Sequence, residues 1–200
     1  MSEHEQPSLP SPEAIDDGES TPAESTRSAV AAAVGWLRDL MLALIILVLV
    51  IQFVYRPVKV EGTSMMPSLE DQDRIFINKF TYQFGMGEVR RGDTVVFSYP
   101  GDPSKSYIKR VIGLPGDRVS IDEGMVSVNG AKLDEPYVPA SYRDNQSITE
   151  LVVPEDYYYV LGDHRSSSND SRSWGPVHRR HIFGKAVFVY WPLDKMGLIR

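Results

Sequence analysis

Between residues 40 and 55 the chain carries no charged side chain, and this stretch limits the possible folds more than any other. As a helix it covers roughly 24 Å, against a bilayer hydrocarbon core of about 30 Å. Residues 31–37 can lengthen it, with Trp36 at the interface and Arg38 reaching back to water. A helix in a soluble core would show a polar face, and this run shows none. A cleavable leader needs a basic start and a small-residue cut site. Here the preceding residues are acidic, and Phe53-Val54-Tyr55-Arg56-Pro57 offers no such site. The run therefore predicts an uncleaved anchor over residues 29–57, with a lipid bilayer as its partner. Arg27 and Arg38 precede it and Arg56 and Lys59 follow, so charge bias alone does not choose an orientation.

Residues 1–28 are rich in Ser, Pro, Glu and Asp and hold no aromatic side chain. Such a segment buries too little apolar surface to offset its ordering entropy, and a disordered acidic tail is predicted. The 200 residues allow one domain or a core with a small insert. The chain has no Cys, which excludes disulfides and thiolate metal sites. Its net charge of −6 argues against a nucleic-acid partner, which usually calls for a basic surface.

Beyond the anchor the sequence reads as strands. Val58-Lys59-Val60 alternates. Residues 74–80 set Ile75 and Ile77 on one face and Phe76 on the other. Residues 94–97, 106–112, 118–121, 125–128, 157–161 and 186–191 follow, the last read as the final strand. Asn129-Gly130 marks a hairpin turn, and residues 136–150 read as loop. No long helical period follows the anchor.

Three stretches could carry chemistry. Gly62-Thr63-Ser64-Met65-Met66-Pro67 suits a tight turn that exposes the Ser64 hydroxyl, though most Ser residues in such turns only cap backbone groups. A serine nucleophile needs a base. The histidines are His4, His164, His178 and His181. His4 lies in the tail. His178 and His181 flank two arginines with no third ligand nearby, so a solvated basic edge is expected there and no metal site. His164 sits in a polar loop, where packing or a backbone contact is the usual role. A lysine can serve as base once an apolar site removes its charge. Lys109, between Tyr107-Ile108 and Val111-Ile112, has the most apolar setting of any lysine after the anchor. On an alternating strand, Lys109 or Arg110 should face inward. Arg110 cannot shed its charge, so Lys109 is predicted inside and Arg110 outside.

Together these stretches resemble bacterial type I signal peptidase, a membrane-anchored Ser/Lys protease family. Ser64-Met65-Met66-Pro67-Ser68-Leu69 is similar to its nucleophile motif. Arg91-Gly92-Asp93 with Val95-Val96-Phe97 is similar to a structural motif, and residues 109–117 to the base motif. Gly162-Asp163, Arg165, Ser168, Asp170-Ser171-Arg172 and Trp174-Gly175 are similar to the last. The resemblance runs from the anchor to the end of the chain, with four motifs in the family's order. It implies a mostly β fold: one N-terminal transmembrane helix, an antiparallel β catalytic core over residues 58–113 and 158–200, and a small β insert at 114–157. It implies Ser64 as nucleophile, Lys109 as base and Ser168 as the hydroxyl that orients the amine. Asp170 and Arg172 would form an ion pair beside the site. Val60, Met65, Leu69, Tyr107 and Ile108 would line pockets for small substrate side chains. No cofactor is implied. The substrates would be preprotein signal peptides, cut by a single-pass protein of the cell membrane whose catalytic domain faces outward; a monomer is expected.

Two positions depart from the pattern. Some members supply an oxyanion-hole hydroxyl two residues before the nucleophile, where this chain has Gly62, so Ser64 N–H must provide one donor and a second is unassigned. His164 stands where Asn is usual. Self-cleaving repressors share such a dyad on a related fold, but they carry a DNA-binding module where this chain has an acidic tail and an apolar run. A domain that only bound peptides would be expected to lack the Ser or the Lys.

Overall fold

The computed structural model describes residues 22–79 and 87–199; the first 21 residues of the predicted tail, and Phe80, lie outside the described residues. Helix α1 spans Pro22–Val54. Its start precedes the predicted anchor boundary. Proline is well placed in a first turn, where its missing N–H is not needed, and Ala23 and Glu24 are good helix formers. Within it, the window Ala32–Leu49 has a mean hydropathy of 2.1, and none of it is buried against the rest of the protein.

The chain turns to strand earlier than predicted, with β1 at Tyr55–Lys59. Pro57 is tolerated there because β1 is an edge strand among the described residues, paired with β2, Arg74–Asn78. The main sheet continues with β3 (Thr94–Tyr99) and β4 (Asp102–Gly113). A second, four-stranded sheet comprises β5 (Arg118–Asp122), β6 (Met125–Val128), β7 (Ala131–Lys132) and β8 (Ile148–Val152), in the order β7-β6-β5-β8. Strand β8 occupies the end of the stretch read as loop. Its weak alternation hid it, and pairing with β5 defines it. The chain then returns through β9 (Tyr157–Leu161), the short helix α2 (Ser171–Trp174) and β10 (Val177–His178). Strand β11 (Ile182–Trp191) is longer than predicted, and β12 (Gly197–Leu198) follows it, so the chain does not end its strands at Trp191. The main sheet runs β1-β2-β11-β3-β4-β9-β10, with β12 on β11, and its pairs are antiparallel.

Successive residues of the central strands feed different cores. Val96 joins Val60, Met65, Leu69, Ile75 and Ile77 in one cluster, while its neighbours Val95 and Phe97 join Val111, Val160 and Val177 in another. Tyr159 and Leu161 alternate with Tyr158 and Val160 to reach a third cluster with Val119 and Val126 of the second sheet. Strands covered on both faces read as continuous apolar runs.

Candidate active site

The turn after β1 is built by local hydrogen bonds. Gly62 adopts φ +90°, a left-handed conformation that a side chain disfavours, which gives a backbone reason for glycine at that position. Its N–H donates to the Asp71 carboxylate at 2.8 Å, so it is not a free second oxyanion donor. The Met66 and Leu69 amides donate to the Thr63 and Met65 carbonyls and close the turn beyond Ser64.

Strand β4 brings Lys109 to this turn. Pairing of Val95 with Lys109 and Val96 with Ile108 fixes its register. Lys109 Nζ lies 2.7 Å from Ser64 Oγ and donates to the Ile108 carbonyl at 3.0 Å, with the Tyr107 ring 5.4 Å away. The residue is only 4% exposed. Burial is the largest influence on the amine and lowers its pKa from 10.5 to about 8; the carboxylates of Asp170 and Asp163 oppose this, and the Arg172 charge assists it. The pair thus joins a hydroxyl to an amine that loses its proton at about pH 8 instead of 10.5.

The expectation for Arg110 is corrected: it is 1% exposed, as buried as Lys109. An alternating strand has one wet face, but this part of β4 is covered on both. The Arg110 guanidinium donates to Asp163 at 2.8 and 2.6 Å, donates to the Gly92 carbonyl at 2.9 Å, and lies over the Tyr137 ring. A bidentate partner and a carbonyl meet the charge that burial would otherwise strand.

The loop after β9 packs against the nucleophile turn. His164 N–H donates to the Ser64 carbonyl at 3.1 Å, and His164 Nδ1 sits 3.3 Å from the Thr63 carbonyl. A carbonyl only accepts, so that nitrogen carries a proton and His164 holds the turn; its ring packs on Tyr142. A Cβ on Gly162 would stand 2.5 Å from the Ser64 carbonyl oxygen and 2.2 Å from Ser168 Oγ, so the close approach needs glycine. Asp170, fully buried, accepts from Gly162 N–H at 3.0 Å and from the Arg172 guanidinium at 2.8 Å. It also caps α2. The predicted Asp170–Arg172 pair is therefore present, and Arg172 further engages Asp144. Ser168 differs from expectation. Its Oγ is buried without a hydrogen-bond partner among the described residues, and the Ile108 carbonyl makes the amine's second contact.

A groove of about 680 Å³ opens over Ser64 and Lys109. Val60, Tyr107 and Ile108 line it, with Val58, Ile75, Val96 and Asn169, which sequence reading missed. Met65 and Leu69 do not: at 1% and 0% exposure they fill the core beneath the turn. An apolar residue near a nucleophile can face substrate or core, and here the turn's own hydrogen bonds point these two inward. Also missed was Glu135, which pairs with the buried Arg165. His178 and His181 lie away from the groove, their rings 6.5 Å apart.

Residues 33–191 match the family model described as "Signal peptidase, peptidase S26". Signal peptidase I of Bacillus licheniformis is 34% identical over 171 residues, covering 80% of this chain and 90% of that protein. A probable signal peptidase I-2 of Synechocystis is 38% identical over 175 residues, covering 82% and 77%. A crystal structure of a signal peptidase I from Enterococcus faecalis shows 32% identity, covers 49% of this chain and 96% of that one, and has a TM-score of 0.44. With a family match along most of its length, and relatives above 30% identity aligned over most of theirs, the chain belongs to the signal peptidase family, peptidase S26.

Proposed function

We propose that this chain is a membrane-bound serine endopeptidase that removes N-terminal signal peptides from exported preproteins, with Ser64 as nucleophile and Lys109 as general base. The observation that carries it is the 2.7 Å approach of a buried, pKa-lowered amine to a serine hydroxyl on the floor of a groove. The neutral amine takes the Ser64 proton as Oγ attacks the scissile carbonyl, and the ammonium then protonates the departing amine. Water, activated by the same lysine, releases the acyl group from Ser64. Ser64 N–H, which donates to no group among the described residues, supplies one oxyanion contact.

The groove suits an extended peptide. One wall is the end of β1 and the residues after it, 58–61; the other is the start of β4, residues 104–109. Strand β9 pairs with β4 only from Arg110 onward, so that wall keeps an unpaired backbone edge among the described strands. Helix α1 is the anchor: from residue 40 on it carries no charge on any side, and its apolar window Ala32–Leu49 is exposed. Residues 58–113 and 158–200 form the catalytic core, 114–157 the insert, and the core faces outward from the cell membrane.

Purified protein should cleave a preprotein, while the Ser64→Ala and Lys109→Ala variants, folded by circular dichroism, should not. Full processing by Ser64→Ala would move the chemistry elsewhere, with Ser68 the first place to look. Protease added to intact spheroplasts should degrade the C-terminal domain, and protection of that domain would refute the orientation.

A further inference from the structure

Away from the groove, the main sheet carries a second cavity of about 550 Å³, and its chemistry is opposite to that of the acidic chain as a whole. Lys79, Arg179 and Arg180 line it with His178, Ile182 and Phe183, and Asp156 is its single carboxylate. Neither arginine nor Lys79 forms an ion pair among the described residues. Positive charge is crowded there. Burial, and then the Arg56 charge, lower the Lys79 pKa; burial, and then Arg180 and His178, lower that of His181. Three cations and a single carboxylate around one cavity mark a place where a further anion would relieve repulsion.

Strand register says which anion. Tyr55, the first residue after α1, pairs with Asn78, and Asn78 pairs with Lys185. Lys79 and the 182–183 segment therefore lie at the end of the sheet where β1 begins. Only five helical residues separate Leu49, the end of the apolar window, from Tyr55, a rise of about 7.5 Å. Neighbouring strands add about 5 Å each. If α1 spans the bilayer, as proposed above, this short chain connection alone keeps that end of the sheet within reach of lipid headgroups.

We propose that this cavity seats the phosphodiester headgroup of an anionic phospholipid. Arg179 and Arg180 present the forked donors that match phosphate oxygens, and Lys79 adds a point charge. Phe183, with the Lys79 amine 5.6 Å from its ring centroid, gives the cavity an apolar wall beside the charge.

The test uses the full chain in vesicles of phosphatidylcholine alone or mixed with phosphatidylglycerol, followed by hydrogen exchange of residues 179–183. Exchange should slow on the order of tenfold in the mixed vesicles only. The protection should vanish in the Arg179→Ala/Arg180→Ala double variant, persist in the double Lys variant, and fade as salt rises from ~0.1 to ~1 M. Equal exchange in the two vesicles would overturn the proposal, as would protection that survives in the Ala variant. Equal protection by inorganic phosphate in detergent would also overturn it, marking a free-phosphate site. Flotation and preprotein cleavage on the same samples separate the causes of failure. A chain that does not float with vesicles loses both the anchor and the headgroup seat. One that floats and is protected but does not cleave loses only the peptidase reading, and one that floats and cleaves without lipid-specific protection loses only the seat.

Discussion

Replacing Lys109 with methionine keeps the length of the side chain and removes its proton. In the folded protein the amine titrates at about 8 instead of 10.5, chiefly because burial disfavours its charge. Between those values the unfolded chain binds the proton and the folded chain does not, so stability rises with pH across the window. Below about pH 8 the wild type bears the full cost of protonating a buried amine, about 3 kcal/mol; above about 10.5 it bears none. Lys109→Met carries no such term at any pH. Its stability relative to wild type should therefore be about 3 kcal/mol more favourable at pH 7 than at pH 10.5, whatever constant the lost contacts with Ser64 and the Ile108 carbonyl add. In a β unit of this size that is a change of roughly 6–12 °C in the difference between melting temperatures. Urea unfolding of both proteins in the same detergent, at several pH values, measures it, and the titration of other groups cancels in the difference. Lys109→Arg, which keeps its charge at every pH, should be inactive and the least stable of the three near neutrality. The same proton sets activity: wild-type kcat/KM should rise with pH through about 8 as the base becomes neutral. A stability difference that stays flat from pH 7 to 10.5, or an active Arg variant, would show that Lys109 is an ordinary charged residue.

Asp163→Ala leaves the Arg110 guanidinium buried without its bidentate partner and should cost about 3–5 kcal/mol in urea unfolding; a loss below about 1 kcal/mol would mean the pair is not a structural tie. Gly162→Ala places a methyl group 2.5 Å from the Ser64 carbonyl oxygen and should cost about 1–3 kcal/mol. It should also lower kcat at temperatures where the protein remains folded, and an unchanged kcat would dissociate this contact from the placement of Ser64. Substrate choice should follow the shallow surface formed by Val60, Ile108 and Val96, with each methylene-sized misfit costing about 1–3 kcal/mol. A preprotein with Phe in place of Ala before the cut should go unprocessed, and equal cleavage of the two would contradict the pocket assignment.

What the sequence disclosed depended on how local the deciding interaction was. The meeting of Ser64 and Lys109 was legible because the motifs that carry them are short and occur in a recognisable order, and Ile75 and Ile77 were legible because a half-covered strand alternates. Phe53, Val54 and Tyr55 suit helix and strand equally, and the switch at Tyr55 is set by pairing with Asn78, far along the chain. The start of β4, Asp102-Pro103-Ser104-Lys105, has no strand pattern and is extended through its pairing with β3.

Arg110 was misplaced for a related reason. The rule that an arginine faces water holds unless a distant residue supplies its counter-charge, and here Asp163 does so from 53 residues away. Arg165 and Arg172 likewise find Glu135 and Asp144 at separations of 30 and 28 residues, spacings that no local motif encodes. These pairs bear on the chemistry as well as on the packing. Asp163 and Asp170 both favour the charged form of Lys109, and an amine flanked by two free carboxylates would hold its proton to higher pH. Each carboxylate is instead engaged by an arginine, Asp163 by Arg110 and Asp170 by Arg172. With that negative charge largely compensated, burial decides the balance and brings the Lys109 pKa down to about 8. The arginine that sequence reasoning placed in solvent thus helps set the proton affinity of the neighbouring lysine, the base proposed above.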